Sequence, residues 1–147
     1  MEDAKEVKIP LALIVVGLAI FVVFGFHVGG AAGVAAALAV MAVRVVIGVT
    51  LGVIACFITA RIMDASFGYL NTAILKLAAI FIVTGAVSAI IPLAGWLVGL
   101  VLYYGLLTWF FDLEILEVIV LSVVLGAAQI VAGVFAIGLI GALFGRR

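Results

Sequence analysis

The sequence predicts an all-α fold: a polytopic transmembrane helical bundle of about five spans, with one short Ala/Gly-rich interfacial helix. Three observations carry that expectation. Seventy per cent of the residues are apolar and 10% are charged, where a soluble domain carries roughly 45–50% and about 25%. The 147 residues fit one domain, and since a spanning helix takes about 20 residues, five crossings leave little chain for loops. The prolines, glycine pairs and charges fall between long apolar runs, where helix ends are expected.

The first span is expected over residues 9–27. Pro10 sits in its first turn, where its missing donor would be unpaired in any case, and Gly29 and Gly30 end it. Lys5 and Lys8 before an apolar run have the outline of a signal peptide. The run from Ile9 to Phe26 is longer than a signal core of roughly 7–15 residues, however, so it is read as a retained span. From Ala31 to Met63 the chain is apolar apart from Arg44, Thr50, Cys56, Thr59 and Arg61. As one helix this stretch would be about 50 Å long, against a hydrocarbon core of about 30 Å. It is therefore divided: residues 45–62 form the second span and 30–43 an interfacial helix, which leaves Arg44 at a membrane surface. The alternative is one long tilted helix with Arg44 near its centre, at about 2.5–3.5 kcal/mol on insertion scales unless the arginine finds a partner.

Ser66, Gly68 and Tyr69 supply turn chemistry, and Asn71 is expected to cap the third span, 72–91. Lys76 lies in its second turn. Pro92 closes that span and opens a tight hairpin into the fourth, 93–111. Trp96 and Trp109, about 20 Å apart along a helix, place one amphipathic ring near each interface. Asp112, Glu114 and Glu117 complement the helix dipole where the fifth span, 115–143, begins. At about 45 Å, that helix must tilt or project beyond the lipid. Five spans put all seven acids on one side with Lys5, Lys8, Arg61 and Lys76, and leave Arg44, Arg146 and Arg147 on the other. A Lys/Arg count so even leaves the orientation open.

The formal net charge is zero, which removes the electrostatic case for nucleic acid. A lone Cys56 and a lone His27, the latter an interfacial helix end, provide neither a disulfide framework nor a zinc site. No nucleophile elbow, HExxH or glycine-rich phosphate loop occurs. No catalytic, cofactor-binding or metal-binding residue is therefore assigned, and no enzyme activity is expected. The expected partners are the bilayer and other membrane proteins or a second copy of the chain.

Two groups of residues remain as candidates. Gly25, Gly29 and Gly33 recur every four residues, as do Gly48 with Gly52, Gly95 with Gly99, and Gly141 with Gly145. Small residues at that spacing let backbones approach closely, either between copies of the chain or, as preferred here, within one copy. The second group is polar. Tyr103, Tyr104 and Gln129 lie at comparable depth, with Thr84 and Ser88 able to join them. Such a layer could line a narrow pathway, although interhelical hydrogen bonds of about 0.6 kcal/mol each explain it as well. Arg44, Lys76 and Glu117 are the ionisable candidates. Lys76 and Glu117, each within two turns of a helix end on the same side, are expected to snorkel or to pair at the interface.

From Ser66 the chain reads SFGYLNTAILKLAAIF, then AIIPLAGWLVGLVLYYGL, then a further apolar span. This order of a glycine-containing corner, a helix, a Pro-Gly hairpin and two more helices resembles the end of the Yip family of five-span membrane proteins. The resemblance covers about half the chain. The N-terminal half departs from the family pattern, lacking its long cytoplasmic tail and carrying an Ala/Gly stretch instead. The resemblance implies membrane trafficking or membrane organisation through protein contacts, without catalysis. The expectation is thus a non-catalytic integral membrane protein acting through helix contacts, as a small subunit of a complex or a membrane-organising protein. The alternative, drawn from Arg44, Lys76, Glu117 and the Tyr/Gln layer, is an oligomeric channel or small transporter.

Overall fold

A computed structural model of the chain describes residues 4–64, 66–91 and 94–144. Pro92, Leu93, Gly145, Arg146 and Arg147, which carry parts of the sequence reading, lie outside the described residues. The described elements are all helical, with no strand among the described residues: a π-helical turn at Ala4–Lys8, then α1 (Ile9–Met63), α2 (Leu70–Ile90), α3 (Gly95–Phe111) and α4 (Ile115–Phe144). These helices are apolar around their circumference, not along one stripe, so sequence periodicity gives little indication of which face packs inward.

Helix α1 is a hairpin of two limbs. Gly29 (φ −152°, ψ 22°) and Gly30 (φ 60°, ψ −145°) break it, and the second of these conformations is essentially restricted to glycine. The reversal presses Gly25 against Gly33. A Cβ on Gly25 would stand 2.8 Å from the Val34 Cα, and one on Gly33 would overlap the Gly25 carbonyl oxygen. The first limb, 9–28, ends where the first span was expected to end.

The second limb departs from expectation. Residues 31–63 form one unbroken helix, about 50 Å long, and no separate interfacial helix over 30–43 exists. The physical reason is local. Between Ala31 and Gly48 the chain has seven alanines, the strongest helix former, no proline, and only Gly33 as a weak point. Nothing there can stop a helix. Gly48 and Gly52, the next candidates for a break, instead accept the Phe81 ring and the Leu77 side chain of α2. Arg44 therefore lies in the interior of a helix and not at its end.

Helix α2 starts two residues earlier than expected. Tyr69 occupies the cap position, its carbonyl accepting from the Ala73 amide at 2.9 Å and from the Thr72 hydroxyl at 2.8 Å. Asn71 sits exposed in the first turn and caps nothing. The helix is the centre of the bundle: 56% of its most apolar window is buried, against 17% for α1. Gly17 faces Ile82 and Phe21 faces Gly85, so α2 runs parallel to the first limb of α1. Arg44, Gly48 and Gly52 face Gly85, Phe81 and Leu77 in turn, so it runs antiparallel to the second. Helix α3 returns along α2, with Gly95 and Gly99 against Ser88, Tyr103 beside Phe81 and Phe111 near Lys76. Helix α4 packs mainly on α1 and touches α3 sparsely.

Leu77, Ile80, Leu107, Phe110 and Leu121 are almost wholly buried and form the centre of the core, with Ala55, Cys56 and Val118 beside them. The resulting up-and-down path of helical segments gathers residues 4–8, 64, 66–69 and 111–114 at one end. The Gly29–Gly30 turn, Ile91 and Ala94 lie at the other. Two stretches, Glu6–Met63 and Leu70–Ile90, are long and apolar enough to cross a membrane, and Leu97–Phe111 and Ile115–Val131 are shorter apolar helices.

Candidate functional site

Two polar cavities sit toward opposite ends of the bundle. The first, about 510 Å³, lies between all four helices. Helix α1 contributes Arg44; α2 contributes Phe81, Thr84 and Ser88; α3 contributes Gly99, Leu100, Tyr103 and Tyr104; and α4 contributes Ser122, Leu125, Gly126 and Gln129. The polar layer expected from sequence depth is thus gathered around one space: Tyr103, Tyr104, Gln129, Thr84 and Ser88 all border it. A smaller space of about 260 Å³ shares Arg44, Phe81 and Gln129 with it and is bordered also by Ile47 and Gly48. The sparse contact between α3 and α4 is what leaves the volume open.

The side chains in this cavity differ in what they can still bond. The Thr84 hydroxyl donates to the Ile80 carbonyl at 2.7 Å, and the Ser88 hydroxyl to the Thr84 carbonyl at 2.7 Å. Both protons are therefore committed to the helix's own backbone, a habit of Ser and Thr inside helices. Tyr103 stacks edge-on against Tyr104, with ring centroids 5.6 Å apart, and lies beside Phe81 at 6.0 Å. Its hydroxyl oxygen and that of Ser122 are buried without a hydrogen-bond partner among the described residues. The Arg44 guanidinium reaches over Gly85, Nη1 lying 3.9 Å from where a Cβ would stand, so the absence of a side chain at Gly85 makes room for it. Sequence reading missed Ser122, a lone serine in a long apolar run, whose depth of about two turns from Gln129 is the only signal it carries.

The second cavity, about 490 Å³, lies at the end that holds the chain's acids: Glu6, Asp64, Asp112, Glu114 and Glu117 border it together with Lys76. Lys76 is buried there, with 4% of its side chain exposed. Its Nζ donates to Glu6 Oε1 at 2.5 Å and stands 5.4 Å from the centre of the Phe111 ring. The expected snorkelling of Lys76 therefore does not occur, and its partner is Glu6, from the N-terminal turn 70 residues away, and not Glu117. Glu117 accepts the Glu114 amide at 2.8 Å. That is the reciprocal half of a capping box, with a glutamate at the third helical position serving the cap residue's own N–H.

The glycine candidates divide. Gly25, Gly33, Gly48, Gly52, Gly95 and Gly99 each meet another segment of the same chain, a Cβ on Gly95 standing 2.6 Å from the Ser88 carbonyl oxygen. Gly29 forms the turn and meets nothing. His27 is exposed near the end of the first limb of α1. Among the described residues, no group of three or more His, Cys, Asp or Glu has the arrangement to hold a metal ion. No protein family, curated protein or solved structure matches the chain.

Proposed function

We propose that the chain is a multi-pass integral membrane protein whose five helical segments cross the bilayer, and that it acts without catalysis, through contacts of its helices. The observation that carries this reading is the outer surface of the bundle. On α1 alone Phe26, Val28, Val40, Val46, Phe57 and Ile62 are each 62–70% exposed, and apolar patches of that extent mark lipid or partner surfaces. The chain presents 9298 Å² to its surroundings, where a soluble monomer of 15.2 kDa presents roughly 7,100 Å². Such an excess of mostly apolar surface is tolerable in lipid and costly in water. The paired glycines are used inside the chain. Gly105, with open space where its Cβ would stand and exposed Val101 and Trp109 one turn to either side, supports a contact with another membrane protein at the outer face of α3. The Yip-like order of elements in the C-terminal half agrees with an organising role.

Carbonate extraction and cysteine labelling test the reading. In a Cys56→Ala background, Ser66→Cys should react with an impermeant thiol reagent from one side of the membrane, and Ala31→Cys and Ala94→Cys from the other. Release of the protein by carbonate, or labelling of Ser66→Cys and Ala31→Cys from the same side, overturns it.

A second reading, a small transporter, is favoured by the two polar cavities at opposite ends. About 12 Å of α2 separates Lys76 from Thr84, and that interval is closed by Leu77, Ile80, Leu107 and Leu121. Flux of a charged solute into liposomes, reduced by Arg44→Gln, would favour this reading over the first.

A further inference from the structure

We propose that the cavity beside Arg44 binds a phosphate-bearing anion; the proposal rests on the membrane reading above. The first ground is an uncompensated charge. The five described acids, Glu6, Asp64, Asp112, Glu114 and Glu117, all border the opposite cavity, so none of them serves as counter-ion to Arg44. Arg44 lies beside Gly85, five residues before the end of α2, about 7.5 Å along the helix. In a bilayer that depth is just below the headgroups, where a bare guanidinium is unfavourable and a ligand anion drawn inward offsets it.

The second ground is the set of donors. Arginine offers only donors, in a planar fork that matches phosphate oxygens two at a time. The hydroxyls of Tyr103 and Ser122, both on residues that line the same cavity, have no partner among the described residues, and buried polar groups in native proteins are nearly always bonded. Gln129 adds an amide that can donate. Thr84 and Ser88 do not compete, because their protons already go to backbone carbonyls. A cation, two unspent hydroxyls and an amide suit one ligand with several acceptor oxygens.

The third ground is size and polarity. A space of about 510 Å³ falls within the range of organic ligand sites, roughly 300–1,000 Å³, and exceeds what a bare ion needs. Leu100, Leu125 and Phe81 give it apolar walls beside the polar ones. The same chemistry could be supplied by an anionic phospholipid headgroup entering from the bilayer or by a soluble phosphate entering from water.

The test uses the full chain, purified in a maltoside detergent that contains no phosphate. Phosphatidic acid and diacylglycerol, which differ only in the phosphate, are titrated separately while bound lipid is counted by native mass spectrometry and the unfolding midpoint is followed. Phosphatidic acid should be retained and should raise the midpoint, and diacylglycerol should do neither. Arg44→Gln should weaken the response at least about tenfold and Ser122→Ala about threefold, whereas Arg61→Gln, an exposed arginine at the other end of the same limb, should leave it unchanged. Competition by millimolar inorganic phosphate assigns the site to a soluble anion, and indifference to it assigns the site to a lipid headgroup. If phosphatidic acid and inorganic phosphate act no differently from diacylglycerol, or if Arg44→Gln and Ser122→Ala both respond like the native chain, the proposal is overturned. A carbonate-resistant protein that ignores both probes removes this site alone, whereas a carbonate-soluble one removes the membrane reading itself.

Discussion

Exchanging Glu6 for Gln should damage the bundle more than exchanging its partner Lys76 for Met, although both changes break the same ion pair. The asymmetry follows from burial. Lys76 is 4% exposed and Glu6 is 34% exposed. Glu6→Gln removes the one carboxylate bonded to a buried ammonium, leaving it the Phe111 face and the more distant acids of the same cavity. Removing one member of a buried pair costs about 3–5 kcal/mol, and because the glutamate side is partly open, about 3 kcal/mol is expected here. Lys76→Met leaves a carboxylate that can hydrate and fills the vacated space with an apolar chain of similar length, at about 1 kcal/mol. The double mutant has no stranded charge, so it should fall well short of the sum, with a coupling of about 2 kcal/mol. Glu117→Gln, by contrast, should combine with Lys76→Met within about 0.5 kcal/mol of additivity, because the Glu117 carboxylate serves the Glu114 amide. Reversible unfolding of the detergent-solubilised protein in a denaturing-surfactant titration, followed by tryptophan fluorescence, gives all the free energies required. A larger loss for Lys76→Met than for Glu6→Gln, or a stronger coupling of Lys76 to Glu117 than to Glu6, would refute the reasoning.

Other substitutions examine the remaining packing claims by the same unfolding measurement. Gly95→Ala should destabilise more than Gly99→Ala, since a Cβ at 95 meets the Ser88 backbone whereas one at 99 meets the rotatable Ser88 hydroxyl. Adding Ser88→Ala should recover stability in the Gly99→Ala protein and not in the Gly95→Ala protein. Gly30→Ala should cost about 1–3 kcal/mol because of its positive φ, and Gly29→Ala less. Asp64 ends α1 with φ 52°, a left-handed conformation at the negative end of the helix dipole. Asp64→Gly should therefore stabilise the protein by about 0.5–1 kcal/mol, and a loss of stability would show that the carboxylate makes a contact worth more than the strain. Gly105→Leu should leave the unfolding curve unchanged while reducing co-purification of any membrane partner, and unaltered co-purification would remove α3 as the contact face.

The helical class, the helix break at Gly29–Gly30, and the helix ends near residues 63, 90, 111 and 115 were all legible in the sequence, because each depends on local features: hydropathy, helix breakers, and the 1.5 Å rise per residue. The same rise brings Tyr103, Tyr104 and Gln129 to comparable depth from the sequence alone. Arg44 was set at a helix end because a length argument divided the 31–63 helix at its most polar residue, whereas the backbone follows alanine propensity and the docking of Gly48 and Gly52 onto Phe81 and Leu77. The partner of Lys76 could not be read from the chain at all. In helices apolar on every side, no stripe marks the inward face, so which of several acids at one end reaches a buried lysine is decided by how the helices rotate against one another. The cavity has the same origin. Its walls come from four helices, and its volume exists because α3 and α4 touch α2 and α1 more than each other. The sequence by itself determined the elements and the depth of their polar residues; the tertiary structure decided which faces meet, and hence that Glu6 holds Lys76 and that Arg44, Tyr103 and Ser122 border one space.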